Sequence, residues 1–422
     1  MTREQTEADY RRAMDRYAEV GVDTEQALGL LATVPISLHC WQGDDVGGFE
    51  RAGATLSGGG IQVTGSHPGK ARTIGELRDD LAKAFSLIPG KHRLNLHAMY
   101  GDFGGKATDR DEIEPDHYRS WVGWAQRHGL GLDFNATCFS HPKAESGFTL
   151  SDRDPATRLF WIEHVKRCRQ VSAFMGRELG TPCLHNLWIP DGAKDIAVDR
   201  FERRSILRDA LDEIYSVEHP AAEMKDAVEG KLFGIGSESF VVGSYDFYLC
   251  YALQRRKILC LDLGHFHPTE SVADKVSALL GFCDELLLHV SRGIRWDSDH
   301  VVMLTDDLRD LASEIIRADA LGRVHLALDF FDASLSRVGA WAIGARAALK
   351  AILCALLEPA AALRNAEAAR DGFARLAWLE EAKALPWGAV WDYYCLTRGV
   401  PVGGELMDEV QHYEQSVTLR RA

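Results

Sequence analysis

The chain has 422 residues, 46% of them apolar, and a formal net charge of −14. This apolar content supports a large buried core, and no apolar run reaches the length of a membrane-spanning helix. An acidic surface repels phosphate backbones, so we expect no nucleic-acid partner. The first twenty residues are charged and lack the apolar stretch of a secretory signal, which predicts a cytoplasmic protein.

Eight short β-rich runs alternate with segments of helical periodicity. In chain order the runs are 35–41, 93–100, 131–135, 184–189, one within 225–240, 258–265, 285–290 and 324–330. Strand–helix alternation repeated eight times predicts a (β/α)8 TIM barrel, an α/β fold. A doubly wound open sheet would need a glycine-rich nucleotide turn after the first strand, and residues 41–45 do not provide one.

Helical segments flank the predicted barrel on both sides. We expect an N-terminal helical segment at 1–33, the barrel at 34–337 and a C-terminal helical extension at 338–422. The extension carries an apolar stripe at helical spacing, formed by Leu349, Ile352, Leu353, Leu356 and Leu357. Packing against the barrel and a subunit interface both explain this stripe, and both alternatives stay open.

The densest polar segment follows the sixth run. Asp262, His265 and His267 lie within six positions, directly after an apolar strand. In a continuous strand Asp262 and His265 would face opposite sides, but Gly264 allows a sharp turn that brings them together. A strand that merely ends in polar loop residues is the simpler explanation. An acid with two histidines nevertheless favours a metal site.

Three further carboxylates lie near the ends of the last two runs. Asp297 and Asp299 are two positions apart, so an extended backbone points both in one direction, where they repel unless a cation lies between them. Asp329 ends a strongly apolar run, and buried carboxylates are rare unless they are paired or metal-bound. A solvated loop also explains the first two residues, and a nearby arginine or lysine also explains the third.

Glu229 and Lys231 form a weaker signal in the fifth run. The carboxylate can bind a metal while the ammonium reaches a substrate oxygen, but Glu-x-Lys pairs are also common on exposed helices. Carboxylates with imidazole and without thiolate suit Mn²⁺, Mg²⁺, Co²⁺ or Zn²⁺ with open coordination positions. We therefore predict a divalent-metal site, with Asp262 able to serve two metal positions.

Several long motifs resemble those of L-rhamnose isomerase. They are HCWQGDD at 39–45, LDFN at 132–135, WIPDG at 188–192, DLGHFHPTE at 262–270, HVSR at 289–292, RWDSDH at 295–300 and LDFFDAS at 328–334. The resemblance runs from about residue 10 into the tail. It implies a barrel similar to that of xylose isomerase, a homotetramer, and interconversion of L-rhamnose and L-rhamnulose with a divalent metal, usually Mn²⁺.

The resemblance also assigns roles to individual residues. One metal is expected on Glu229, Asp262, His289 and Asp329, and the second, catalytic metal on His265, Asp297 and Asp299, with Asp262 as a possible bridge. Lys231 is expected near O1 of the sugar. As a separate mechanistic hypothesis, a water or hydroxide on the metal near Asp329 and Lys231 relays the proton between O2 and O1, and a hydride shift between C2 and C1 is favoured over an enediol.

Other residues complete the predicted sugar site. His97 is a candidate for opening the sugar ring, although a hydrogen-bonded core histidine explains it equally well. Trp41, Phe134 and Trp188 are expected to form apolar walls for the methyl group of a 6-deoxy sugar, with ordinary core packing as the alternative for each. His267 is a further candidate substrate contact.

Two other classes of protein compete with an isomerase. A metal phosphoesterase on a similar barrel would need a basic groove, which the acidic charge balance disfavours. A non-catalytic sugar-binding protein would need no cluster of carboxylates, and such clusters are costly to bury without a cation. The nine cysteines include no C-x-x-C pair and are expected to be buried reduced thiols.

Overall fold

A computed structural model describes residues 2–50, 61, 63–295 and 298–421. The strands in chain order are β1 (Pro35–His39), β2 (Lys91–His97), β3 (Gly131–Asn135), β4 (Cys183–Leu187), β5 (Gly192–Ala193), β6 (Met224–Glu229), β7 (Phe240–Val241), β8 (Ile258–Asp262), β9 (Leu286–Val290) and β10 (Val324–Leu328). Eight of them form a closed parallel barrel in the order β1-β10-β9-β8-β6-β4-β3-β2. The predicted (β/α)8 barrel is confirmed. The short strands β5 and β7 pair separately and antiparallel.

Helices surround this barrel. They are α1 (Arg3–Ala18), α2 (Thr24–Leu31), α3 (Ile74–Ser86), α4 (Arg119–His128), α5 (Pro155–Leu179), α6 (Arg200–Ile214), α7 (Tyr245–Arg255), α8 (Val272–Leu280), α9 (Asp306–Arg317), α10 (Arg337–Leu356), α11 (Ala360–Ala368), α12 (Gly372–Ala384), α13 (Trp387–Thr397) and α14 (Glu405–Ser416). Many of these helices begin at a residue whose side chain caps the N-terminus. At the start of α5, for example, Asp154 accepts hydrogen bonds from the backbone amides of Ala156 and Thr157.

Several strands end earlier than the sequence pattern predicts. β1 stops at His39, and Trp41 lies in a 3-10 turn in which the Gly43 amide donates to the Cys40 carbonyl at 3.1 Å. β8 stops at Asp262, whose carbonyl accepts the His265 amide at 3.1 Å. An apolar side chain such as Trp41 is buried equally well in a turn, so hydrophobicity alone overextends the strand.

Side-chain alternation separates the interior of the barrel from its outer face. A small apolar cluster fills the interior and consists of Leu184, Ala227, Ile258, Cys260, Leu287 and Ala327. Positions two residues further along each strand face the same side, at the carboxyl end of the barrel. In β4, β6, β8 and β9 these positions hold Asn186, Glu229, Asp262 and His289, and directly after β10 the corresponding position holds Asp329.

Helix α10 belongs to the protein core. By length and composition it is the one helix in the described part of the chain that could cross a membrane, but 78% of its apolar stretch is buried. It contacts α9, α3 and β1, and its Trp341 indole donates to the His39 carbonyl at 2.8 Å. Packing against the barrel therefore accounts for most of the apolar stripe. The boundaries predicted for the barrel segment, at 33/34 and 337/338, stay a prediction.

Candidate metal centre

Four potential metal ligands converge at the carboxyl end of the barrel. Glu229 and Asp262 are the last residues of β6 and β8, His289 lies one residue before the end of β9, and Asp329 follows β10. Their ligand atoms all lie within 4.8 Å of one another. His289 Nδ1 is 3.0 Å from Asp329 Oδ2, 3.2 Å from Glu229 Oε2 and 3.9 Å from Asp262 Oδ2. We call Glu229, Asp262, His289 and Asp329 the four-ligand cluster.

Neighbouring groups fix two of the carboxylates. The Ser291 hydroxyl and the Gly264 amide donate to Asp262 Oδ1 at 2.7 and 2.6 Å. The Asn186 amide donates to Glu229 Oε2 at 2.5 Å. Such contacts orient ligands in metal sites. Asp262 therefore presents its second oxygen, Oδ2, toward His289.

The electrostatics of the cluster fit a divalent cation. Burial raises the pKa of Asp262 to about 7, His265 opposes that shift, and the charges of Asp329 and Glu229 add to it. Burial also acts against ionisation of Glu229, but His289 and His265 outweigh it and hold the Glu229 pKa well below its usual value. Asp262 Oδ2 and His289 Nε2 are buried without a hydrogen-bond partner among the described residues. Unsatisfied buried ligand atoms beside crowded carboxylates are what a cation would satisfy.

A thiol lies beside the same cluster. Cys260, two residues before Asp262 in β8, has its sulfur within 4.8 Å of ligand atoms of Glu229 and His289. Burial raises the pKa of this thiol, which keeps it protonated at neutral pH. Most of the nine cysteines are buried, and none of those described forms a disulfide.

The second predicted group of ligands is described in part. His265 is buried beside the cluster, with Nδ1 3.1 Å from Glu229 Oε1 and 3.0 Å from the Gly230 carbonyl. When Nδ1 carries the proton and donates it to that carbonyl, the free lone pair of the imidazole lies on Nε2. Asp299 is half-buried in a left-handed conformation with φ 44°, and its carbonyl accepts the Phe331 amide at 3.2 Å. Asp297 lies outside the described residues.

Lys231 lies at one edge of the cluster. Its side chain is 8% exposed, and its ammonium is 4.9 Å from the centre of the Trp188 ring, which is a cation–π arrangement. The Trp188 indole nitrogen is buried without a hydrogen-bond partner among the described residues. His267, by contrast, is exposed and contacts the Thr269 hydroxyl through Nδ1 at 2.7 Å.

An arc of rings faces the four-ligand cluster across the end of the barrel. Consecutive ring centres are 4.5–5.9 Å apart, and the rings lie at or just after the ends of β4, β3, β2, β1 and β10. In spatial order the aromatic arc consists of Trp188, Phe139, His97, Trp41, His39 and Phe330. Edge-on contacts of this kind stabilise aromatic neighbours beyond their burial. Trp188 and Phe330 join the arc to Lys231 and Asp329.

His97 occupies the middle of the arc. Its Nδ1 contacts the Thr137 hydroxyl at 3.0 Å, and its ring is 8% exposed. Burial, together with the positive charges of Arg110 and His289, lowers the pKa of His97 to about 3. The imidazole is therefore neutral at physiological pH and can both accept and donate a proton.

Phe134 is placed differently from the other predicted aromatic residues. It is fully buried in β3, and its ring packs edge-on against Tyr118 at 5.0 Å. Phe139, five residues later, provides the ring between His97 and Trp188. A phenylalanine in the sequence does not by itself indicate a site residue, and only the position of Phe139 shortly after a strand distinguishes it.

Sequence reasoning also missed Asn186, Ser291, His39 and Phe330. Asn186 carries a usable signal, because it lies two residues after the interior Leu184 in a predicted strand. Ser291, the second residue after His289, carries the same period-two signal. His39 and Phe330 carry none beyond their position at strand ends.

The fold and the site define an α/β-barrel enzyme with an acid and imidazole cluster at the carboxyl ends of its strands. The family model described as L-rhamnose isomerase (RhaA) matches residues 4–421. The chain is 57% identical to L-rhamnose isomerase of Bacteroides thetaiotaomicron, covering 98% of each chain. It is 54% identical to that of Rhodopirellula baltica, covering 99% of this chain and 97% of the relative.

The chain therefore belongs to the L-rhamnose isomerase family and is an aldose–ketose isomerase. Among solved structures, D-allulose 3-epimerase from Methylomonas sp. is similar at a TM-score of 0.46 and 12% identity, covering 76% of this chain and 96% of that one.

Proposed function

We propose that this enzyme interconverts L-rhamnose and L-rhamnulose with a divalent metal held at the end of the barrel. The observation that carries the proposal is the four-ligand cluster, whose buried Asp262 Oδ2 and His289 Nε2 have no other partner among the described residues. The aromatic arc opposite this cluster supports a sugar with an apolar end. Full-length similarity to L-rhamnose isomerases supports the choice of substrate.

The donor set favours a hard or borderline cation. Three carboxylates and one imidazole suit Mn²⁺, with Co²⁺, Mg²⁺ and Zn²⁺ as alternatives. His265 and Asp299, with Asp297 outside the described residues, are the proposed ligands of a second position. When bound, the metal would hold the sugar oxygens and polarise the carbonyl group as a Lewis acid.

The protein's own groups would then orient the sugar. Lys231, fixed over Trp188, would place its ammonium at O1. The neutral His97 would move the proton that opens the ring, between the ring oxygen and the hydroxyl on C1. Trp188, Phe139 and Trp41 would contact the C6 methyl group and exclude water from the reacting carbons.

Isomerisation needs no external oxidant or reductant. The hydrogen on C2 moves to C1 with its electron pair, and the proton on O2 moves to O1, so C2 becomes the carbonyl carbon while C1 is reduced. We favour this direct shift over an enediol because the arc contains no carboxylate base, and its His97 is assigned to ring opening instead. Asp329 and Lys231 would relay this proton.

The decisive experiment separates metal, substrate and route. Chelator-treated enzyme should be inactive on L-rhamnose and should recover on addition of Mn²⁺, measured as L-rhamnulose formed. Activity that survives rigorous metal removal would overturn the metal proposal, and absence of product with every divalent metal would overturn the substrate proposal. With C2-deuterated L-rhamnose in ordinary water, the direct shift keeps deuterium in the product, whereas complete loss of the label would establish the enediol.

The predicted homotetramer rests on the resemblance and has some support from the surface. Helix α12 has no buried residue, and it exposes 83% of Phe373 and 66% of Leu376. An apolar helix face of this kind suits a subunit interface. Light scattering on the purified enzyme, with Phe373→Glu as the comparison, measures the assembly directly. The cytoplasmic location stays a prediction.

A further inference from the structure

Arg110 is a fully buried arginine behind the aromatic arc. Its side chain is 1% exposed and lies in a short 3-10 turn between β2 and α4. Its Nε and Nη2 donate to the two carboxylate oxygens of Glu50 at 3.1 and 2.6 Å. A bidentate pair of this kind fixes the plane of the guanidinium as well as its charge.

The remaining donors of Arg110 hold one stretch of backbone. Nη1 donates to the carbonyls of Thr137, at 2.5 Å, and Phe139, and Nη2 donates to the Ser140 carbonyl at 3.3 Å. Three carbonyls in four consecutive residues thus converge on one guanidinium. Because the loop after β3 passes around this side chain, its path depends on the position of Arg110.

His164 in α5 fixes the same loop from the other side. Its Nε2 accepts the Thr137 amide at 3.0 Å, so its Nδ1 carries the proton and donates to the Arg110 carbonyl at 2.9 Å. Arginine and loop are therefore joined twice, once through the guanidinium and once through this imidazole. Both connections are buried, where water cannot replace a lost partner.

The loop held in this way carries two contacts of the aromatic arc. The Thr137 hydroxyl contacts His97 Nδ1 at 3.0 Å. The Phe139 ring lies between His97 and Trp188, with ring centres at 5.4 and 5.9 Å. A displacement of the loop would change the orientation of the imidazole and the space beside the Trp188 ring together.

We propose that Arg110, paired with Glu50, is a positioning residue that sets the depth of the apolar wall and thereby the enzyme's preference for a methyl group at C6. The inference rests on the proposed function and extends it to residues that touch neither sugar nor metal. Lysine cannot replace the arginine, because a single ammonium cannot reach three carbonyls and both oxygens of Glu50 at once.

The test compares Arg110→Lys with Arg169→Lys. Arg169 is also a buried arginine, 2% exposed, but it pairs with Asp226 and with the carbonyls of Ile214 and Val217 instead. The measured quantity is the ratio of kcat/KM for L-rhamnose to that for L-mannose, which carries a hydroxyl in place of hydrogen on C6. Mn²⁺ affinity, from the electron paramagnetic resonance signal of free Mn²⁺, is measured alongside.

Arg110→Lys should lower this ratio by about tenfold, within the range that one apolar contact contributes to selectivity. The KM for L-rhamnose should rise, and Mn²⁺ affinity should stay unchanged. Arg169→Lys should lower the melting temperature and keep the ratio. Equal ratios in the wild type and Arg110→Lys, or an equal change in both variants, would reduce Arg110 to a structural residue and overturn the proposal.

Glu50→Gln provides a milder variant if Arg110→Lys does not fold. It keeps one acceptor for the guanidinium and removes the negative charge, so the ratio should shift in the same direction by a smaller factor. An unchanged ratio in folded Glu50→Gln would also contradict the proposal. Failure of the proposed function is distinguishable, since the wild type itself would then form no L-rhamnulose with Mn²⁺.

Discussion

The two halves of the barrel's open end are built in opposite ways. On the side of β6, β8, β9 and β10, the four-ligand cluster brings like charges together and leaves Asp262 Oδ2 and His289 Nε2 without partners among the described residues. On the side of β1 to β4 lies most of the aromatic arc, whose rings contact one another and whose Phe139 carbonyl accepts a hydrogen bond from the buried Arg110. Without a bound cation the first half lowers the stability of the folded protein, whereas the second half stabilises the fold with or without a cation.

The largest expected effect comes from removing one charge in the cluster. Asp262→Asn keeps the shape of the side chain and an acceptor for Ser291 and Gly264, but it weakens the metal site. Turnover should fall roughly a thousandfold, as for the loss of a main electrostatic group. The metal-free melting temperature should rise, because a buried carboxylate beside Glu229 and Asp329 is removed. Steady-state kinetics and calorimetry after chelation measure the two effects.

Asp226→Asn is the matched control for that variant. Asp226 lies in β6 on the outer face and accepts from Arg169 Nε at 2.9 Å and Lys257 Nζ at 3.0 Å. Loss of its charge leaves the buried Arg169 and the partly buried Lys257 without a negative partner, so the melting temperature should fall while activity at low temperature persists. If both variants lower the metal-free melting temperature alike, the contrast between the two halves is wrong.

A smaller effect is expected in the aromatic half. Trp188→Phe keeps an apolar wall but weakens the cation–π contact with Lys231, which contributes about 0.5–2 kcal/mol in proteins. The value of kcat/KM for L-rhamnose should fall by about tenfold, which corresponds to 1.4 kcal/mol. The affinity for Mn²⁺ should not change, because Trp188 is not one of the proposed metal ligands. Steady-state kinetics with titrated Mn²⁺ gives both quantities.

Trp121→Phe tests whether that loss is specific to the site. Trp121 is also buried, its indole donates to the Tyr100 carbonyl at 2.7 Å, and Arg78 lies over its ring at 4.3 Å. The same atoms are removed there, away from the cluster. Equal losses of kcat/KM in the two variants would show a general packing effect and remove the role assigned to Trp188.

The smallest effect concerns pH. Asp44 is buried behind the arc, accepts from the Tyr100 hydroxyl at 2.6 Å and the Gly48 amide at 2.7 Å, and has its pKa raised by burial from 3.8 to about 7. Between about pH 4 and 7 the folded protein keeps a proton that the unfolded chain has released, so this group lowers stability as pH rises. Asp44→Asn should flatten the fall in melting temperature across that window by a few degrees.

Asp79→Asn, at an exposed position of α3, should keep the pH profile of the wild type. Identical slopes for Asp44→Asn and the wild type would mean that Asp44 is ionised throughout the window. The aromatic half would then also contain a permanent buried charge, and the difference between the halves would be one of degree.

The two halves also differ in how far they follow from the sequence. Asp262 and His265 are evident because an acid and an imidazole directly after an apolar strand are uncommon. Glu229 gives only a weak signal beside Lys231, and His289 is a single polar residue. Their roles came from the resemblance, since their convergence depends on strand register. The aromatic residues give no such signal: Phe134 and Phe139 are of one type and five positions apart, yet one packs on Tyr118 and the other joins the arc.

Strand boundaries explain much of what sequence reasoning did not reach. The eight strands and their closure into a barrel follow from alternation of hydrophobic runs. The turns after β1 and β8 depend on local hydrogen bonds, such as those of the Gly43 and His265 amides, which composition does not encode. Trp41 and His265 reach their places through these turns rather than through the strands.

The barrel closes by pairing its first strand with its last. Ile36 in β1 pairs with Leu326 in β10, and the hydrogen bonds between Gln42 and Asp332 join residues 290 positions apart. A ribosome adding about 5–20 residues per second needs roughly 15–60 s to cross that interval. During this time β1 has no partner on one side, and Asp329 has not yet been made. The open edge of β1 therefore stays unpaired for that long, and the nascent chain cannot assemble its four-ligand cluster before synthesis is about four-fifths complete.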